Sequence, residues 1–191
     1  MKKIMFNDLH GLTEAVLSGR KTQTRRIIPS NILCACDLTD NPPMIEDSNG
    51  DWHDLIKTSR YKVGEVVVVA QSYNDFYNDK CDPRQFPNGA GWTNKMFVRA
   101  ELMPHQIRIT NVRVERLQDI SHEDCIKEGI VKAMVGSEDT HFMTAYYVPN
   151  IPSEPHILPQ YAYAALIDRI SRKGTWNSNP WVFVYDFELV K

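Results

Sequence analysis

Gln106-Ile107-Arg108-Ile109-Thr110-Asn111-Val112-Arg113-Val114-Glu115-Arg116-Leu117 alternates apolar and polar residues, and the alternation slips once. Ile107 and Ile109 keep one phase; Val112 and Val114 keep the other. Side chains on a strand alternate with a period of two, so one extra residue must be absorbed if all four are to face the same core. A β-bulge near Asn111 absorbs it, and a bulge also sharpens local twist and bend. The stretch therefore predicts a sheet that curls toward a barrel.

The strands around it follow from the same reasoning. Val66-Val67-Val68-Val69-Ala70 is β-branched and does not alternate, which predicts a strand covered on both faces. Trp181-Val182-Phe183-Val184-Tyr185-Asp186-Phe187-Glu188-Leu189 starts apolar on both faces and becomes alternating, as a central strand does when it emerges at a sheet edge. Thr22 and Thr24 alternate against Lys21, Gln23 and Arg25, a further strand that Pro29 ends. A short strand is expected at Met96 to Ala100.

Helices are expected at Asp8 to Ser18, with Asp8 as cap and Gly19 at the left-handed end, and at Ser121 to Glu128, where Ser121-His122-Glu123-Asp124 opens a capping pattern and Gly129 stops it. A longer one is expected from about Gln160 to Lys173, with Tyr161, Ala165, Leu166 and Ile170 on one side. Three stretches rich in Asn, Asp, Pro, Ser or Gly, at about 30–60, 74–95 and 131–157, read as loop insertions, the first with room for one hairpin. The inventory predicts a single α+β domain over residues 1–191 with a small curved or closed β-barrel and two or three helices.

The composition bounds function. The chain has 191 residues, 42% hydrophobic and 24% charged, with a formal net charge of −2. That balance speaks against a basic coat for nucleic acid but leaves room for a local basic site. Asn7, Asp8 and His10 interrupt any leader-like run, and no apolar stretch approaches the ~20 residues that cross a bilayer, so a cytoplasmic protein with no membrane partner is expected. Cys34, Cys36, Cys81 and Cys125 show neither C-x-x-C pairs nor a disulfide framework. Cys34, Cys36, His53 and Cys81 match no recognised zinc spacing, so neither a metal nor a cofactor is expected.

Ser18-Gly19-Arg20-Lys21-Thr22-Gln23-Thr24-Arg25-Arg26 packs four cations into nine residues. Such crowding is costly unless water, an anion or a catalytic task offsets it. A solvated edge strand, whose charges discourage sheet-to-sheet pairing, is one explanation; a binding or catalytic site is the other.

Residues 19–26, then Lys62-Val63-Gly64-Glu65 before the valine strand, then Arg116-Leu117-Gln118-Asp119-Ile120-Ser121 leading to Glu128-Gly129-Ile130, then Asn179-Pro180-Trp181-Val182, resemble the ASCH domain family in that order. The resemblance is greatest to its longer members in phages and prophages. It spans both ends of the chain and most strands, and leaves out the three insertions. It implies a barrel similar to the PUA RNA-binding fold, with a cleft faced by the G-x-K-T-x-T-x-R segment. Small bacterial members are amidohydrolases that remove the acetyl group of N4-acetylcytidine, and their Lys, Thr and Glu fall here on Lys21, Thr24 and Glu128.

The chemistry is coherent. A threonine hydroxyl needs a base, and a lysine serves as one when its pKa is lowered, as cations such as Arg20, Arg25 and Arg26 would do. Glu128 would pass a proton to the leaving nitrogen; a water attack assisted by Glu128, with Lys21 on the oxyanion, fits equally well. Two points stand against it: Lys21 and Thr24 are three apart and so face opposite ways on a regular strand, and Glu128 favours a charged lysine. Glu128 also sits in the last turn of its helix, where the dipole disfavours an anion by ~0.3–1 kcal/mol and a cation such as Lys21 compensates.

Tyr73, Trp176 and Trp181 are candidates to stack a base, and Arg108 is a candidate cleft cation beside a Met103-Pro104 element. Where family members often carry R-E-T-W, this chain has Ala70-Gln71-Ser72-Tyr73, which removes a charged pair. Three functions are thus expected as alternatives. One is a recognition module for RNA or a modified nucleoside, with Arg20, Arg25, Arg26, Tyr73 and Arg108 as ligand-binding residues. The second is an amidohydrolase acting through Lys21, Thr24 and Glu128. The third is a phage accessory protein that binds a protein partner through its long loops.

Overall fold

The computed structural model of the protein describes residues 1–40, 43–77, 89–137 and 141–190. Strands β1 (Lys3–Ile4), β2 (Gln23–Ile27), β6 (Val66–Val69), β7 (Gln106–Arg116) and β11 (Trp181–Leu189) form one sheet in the order β1-β6-β7-β11-β2. All its pairings are antiparallel except β1 with β6. Strand β11 lies between β7 and β2, the central place expected of it.

The bulge is present, one residue from where the alternation placed it. Asn111 faces Asp186 and Ile109 faces Phe187, so Thr110 is the extra residue. Ile107 and Ile109 are fully buried and Val112 is 5% exposed. A regular strand would turn one of the two pairs to solvent and forfeit about 1.5–3 kcal/mol per apolar side chain, which is why the strand bends instead.

The fold is mixed α+β, and the expected barrel does not close: β1 and β2 remain the two edges of the five-stranded sheet among the described residues. Both faces of β6 are covered, as its composition required. Val67 and Val69 enter a large core with Phe6, Leu12, Leu166 and Val184, while Val68 enters a smaller one with Ala70, Tyr73, Val98 and Met103.

The insertions are more ordered than loops. Residues 30–60 contain α2 (Ser30–Leu33) and a three-stranded sheet of β3 (Cys36–Asp37), β4 (Met44–Glu46) and β5 (Trp52–Asp54). Residues 131–157 form another antiparallel sheet from β8 (Val131–Val135), β9 (Met143–Val148) and β10 (Ile151–His156). Prolines 152 and 155 lie in β10, an edge strand whose pairing to β9 is irregular, and edges tolerate the missing donors. The second insertion begins with α3 (Tyr73–Phe76), and residues 78–88 of it lie outside the described residues.

The strand expected at 96–100 is replaced by two 3-10 turns, Lys95–Phe97 and Ala100–Leu102; Asn94 Oδ1 accepts from the Met96 N–H and starts the first. Helix α1 (Leu12–Leu17) begins at Gly11 rather than at Asp8, whose carboxylate instead takes the Thr13 hydroxyl at 2.5 Å. Helices α4 (His122–Lys127) and α6 (Thr175–Ser178) are short, and α5 (Pro159–Ile170) is the long one. Its buried face carries Ala162, Tyr163, Leu166 and Ile167, while Tyr161 is 58% exposed, so the expected face is rotated.

Candidate functional site

The parity problem between Lys21 and Thr24 is solved by where β2 starts. Helix α1 ends at Leu17, Gly19 takes the left-handed conformation (φ +74°), and the Lys21 N–H donates to the Ala15 carbonyl at 2.8 Å. Lys21 thus belongs to the turn, and regular alternation begins only at Gln23. The Thr22 N–H donates to the Lys127 carbonyl at 2.9 Å, which ties this turn to the end of α4.

Helix α4 opens as its sequence predicts, with Ser121 Oγ accepting from the Asp124 N–H. Glu128 is its C-terminal cap residue and Gly129 follows at φ +105°, where a side chain is strained and a Cβ would meet Leu12 Cδ2 at 3.4 Å. The close fit lets Lys21 lie against Gly129 and reach both oxygen types of Glu128. Lys21 Nζ is 2.5 Å from Glu128 Oε2 and 2.7 Å from the Glu128 backbone oxygen. The ammonium therefore satisfies a helix-end carbonyl and offsets the dipole's penalty on the Glu128 carboxylate.

Glu128 is shared. Arg25 Nη1 donates to its Oε1 at 3.1 Å, and the same nitrogen donates to Gln23 Oε1 at 2.5 Å. Arg25 Nε and Nη2 hold Glu115 at 3.0 and 2.6 Å, and Nη2 reaches Asp124 at 3.2 Å. Behind them Arg113 binds Glu115, Asp124 and Asp186. Arg25 is thus consumed by carboxylates. Burial works against its charge, but Glu128 and Glu115 outweigh that and raise its pKa.

Lys21 is 2% exposed and Glu128 4%. Burial lowers the Lys21 pKa; Glu128 opposes the shift, and Arg26 and Arg25 reinforce it. Arg26 and Arg25 thus add to the effect of burial, which is the larger cause.

Lys21, Thr24, Arg25, Arg26 and Glu128 line one cavity of about 260 Å³, whose remaining wall is mainly apolar, with Phe6, Leu12, Leu166 and Ile167 among its residues. Thr24 is 5% exposed, and its hydroxyl makes no hydrogen bond among the described residues. Tyr163 also lines the cavity, its hydroxyl is buried without a hydrogen-bond partner among the described residues, and burial raises its pKa well above the ordinary phenol value. It therefore stays protonated. The sequence reading missed Tyr163; its spacing to Leu166 and Ile167, three and four residues on, is the signal that identifies the true inward face of α5.

Other candidates lie elsewhere, and these expectations are corrected. Tyr73 is fully buried in the smaller core, where its hydroxyl accepts from the Arg99 N–H at 2.8 Å; its aromatic bulk was needed for packing. Arg108 is on an outward position of β7 and pairs with Glu188 at 3.2 Å, half-exposed. Arg20 is exposed, with Nε 3.2 Å from Ser18 Oγ, because it falls in the turn before the chain enters the cavity. Trp181 lies under Arg116, 4.4 Å from the guanidinium carbon, and Trp176 packs edge-on against Tyr163; neither lines the cavity.

Cys34 and Cys36 are free thiols and His53 pairs with Asp47, while Cys81 lies outside the described residues. Among the described residues no helix is long and apolar enough to cross a membrane. Comparisons with protein-family models, with curated proteins and with solved structures find no match to this chain.

Proposed function

We propose that the cavity is the active site of an amidohydrolase of the ASCH type, acting on a nucleoside-sized guest such as an N4-acylated cytidine. One observation carries the reading: a buried lysine–glutamate pair at 2.5 Å lines the same cavity as Thr24, whose hydroxyl makes no hydrogen bond among the described residues. Moving one proton from Lys21 to Glu128 gives a free amine and a carboxylic acid, the two forms that amide cleavage needs. The low pKa of Lys21 brings that neutral form closer in energy.

Thr24 Oγ1 attacks the acyl carbon while its proton passes to Lys21 Nζ, and Glu128 delivers a proton to the departing nitrogen as the C–N bond breaks. The acyl group is left as an ester on Thr24. Water then attacks the ester as its proton passes to Glu128, and Lys21 returns a proton to the Thr24 oxygen as the C–O bond breaks. The acetic acid formed gives its proton to solvent and leaves as acetate. Arg25, saturated by carboxylates, positions Glu128 rather than reacting.

Incubating pure protein with N4-acetylcytidine and following cytidine release tests this reading. Turnover that disappears in both Thr24→Ala and Lys21→Ala supports it; turnover that survives both, or none in the wild type, overturns it.

A second reading is a recognition module for RNA or a modified nucleoside without turnover. Arg26 favours it: this exposed cation borders the cavity, bonds only to the uncharged Met5 carbonyl, and makes no ion pair among the described residues. Binding of N4-acetylcytidine with no release of cytidine, together with salt-sensitive binding of RNA oligonucleotides, would favour the module over the enzyme.

A further inference from the structure

A second cavity, of about 370 Å³, adjoins the first and shares Met5, Arg26 and Ile27 with it. Its lining brings together Lys3, Arg26 and Arg60 and contains no Asp or Glu. None of the three makes an ion pair among the described residues. Arg26 donates only to the Met5 carbonyl, so Arg26 and Arg60 bring two positive charges to one hollow without an internal counter-charge, while the Lys3 ammonium is held outside it by the carbonyls of Met96 and Val98 at 2.6 and 2.9 Å. Arg25, one residue away, is by contrast surrounded by three carboxylates.

The other wall is aromatic and fixed. Tyr61 and Tyr185 meet edge to face at 5.3 Å, the Tyr61 hydroxyl donates to the Lys3 carbonyl at 3.0 Å, and Ser59 Oγ donates to the Tyr61 carbonyl at 2.8 Å. The Arg60 guanidinium carbon lies 5.6 Å from the Tyr61 ring centroid. Cations that lack counter-charges favour an anion, guanidinium groups suit phosphate oxygens, and an aromatic wall suits a ring.

We propose that this cavity is a phosphate-recognising subsite, so that the ligand spanning the two cavities is a phosphorylated nucleoside rather than the free one. The assignment rests on the nucleoside reading of the first cavity. It gives Arg60, which does not line the first cavity, a role in choosing the ligand, and it makes Arg26 the group that joins base recognition to phosphate recognition.

Calorimetric or fluorescence titration with N4-acetylcytidine and with its 5′- and 3′-monophosphates, at low and high salt, tests the assignment. At least one monophosphate is expected to bind about tenfold tighter than the nucleoside at low salt, an advantage typical of one or two charge-assisted hydrogen bonds. Raising the salt is expected to shrink that ratio, and Arg60→Gln, checked for unchanged circular dichroism, to bring it toward one. A nucleoside that binds as tightly as both monophosphates, or a phosphate advantage undiminished in Arg60→Gln, overturns the subsite and leaves the first cavity's reading intact. Failure of all three probes to bind overturns both.

Discussion

Lys21 Nζ and Glu128 Oε2 lie 2.5 Å apart, buried, although 107 residues separate them in the chain. Glu128 also faces Arg25, so one carboxylate answers two buried cations. Glu128→Gln leaves both without it and is expected to cost about 3–5 kcal/mol, the usual penalty for stranding a buried charge. Lys21→Met is expected to cost less, because Arg25 still holds Glu128. Urea denaturation of both variants measures the order, and the reverse order would show that Glu128 is not the shared partner.

Gly129→Ala places a Cβ at φ +105°, close to Leu12 and the Lys21 stem. It is expected to lower stability by about 1–3 kcal/mol, the cost of a disfavoured backbone conformation. Gly19→Ala also meets a positive φ but finds open space around its Cβ, so it should cost less. Thermal melts of the two variants check the difference.

Ser121→Ala removes the one side-chain cap of α4, whose six residues have little intrinsic stability. A loss of about 1 kcal/mol is expected. Since α4 carries Asp124 and leads into Glu128, the same variant should weaken ligand binding although Ser121 does not line the cavity.

Asp124 ties stability to acid. Burial alone would raise its pKa, but the Gln23 amide, Arg113 and Arg25 hold it below the ordinary carboxylate value. An unfolded chain then takes up this proton before the folded one as pH falls, so the contribution of Asp124 is full above about pH 4 and is lost below it. Asp124→Asn should be less stable than the wild type at neutral pH, and the gap should narrow as pH falls through that range. A gap that stays constant down to pH 3 would contradict the charge network.

Cys125 is fully buried, and burial pushes its thiol up to about 12. Cys34 is exposed. A thiol reagent on the native protein, followed by peptide mass mapping, should label Cys34 and leave Cys125 unmodified until denaturant is added.

Periodicity made the main sheet readable. The slipped phase of residues 106–117 located a bulge to within one residue, because exposing buried isoleucines is expensive. The same logic identified Val66–Val69 and Trp181–Leu189 as buried strands. The hairpin of β4 and β5 answers the one allowed for within 30–60, but the third strand there and the sheet at 131–157 were illegible because proline, asparagine and glycine mark turns without revealing what pairs between them.

Within the site, Lys21, Thr24 and Glu128 were singled out together by the family resemblance, and Lys21 by itself as the natural compensation for Glu128 at a helix end. Their convergence was not, since it depends on the turn at Gly19 and on the tie from Thr22 to Lys127. Tyr73 misled because an aromatic after a buried strand fills a core as readily as it stacks on a ligand. The network of Gln23, Arg113, Glu115 and Asp186 is built across strand neighbours and follows only from register.

The central claim is that the cavity lined by Lys21, Thr24 and Glu128 receives the guest, and amide-resolved NMR titration with N4-acetylcytidine tests it most directly. Shifts concentrated at Lys21, Thr24, Gly129 and Tyr163, and abolished by Thr24→Val, are the predicted result. Shifts confined to the β8–β9–β10 sheet or to the residues 30–60 region, or a spectrum unchanged by saturating nucleoside, would contradict it.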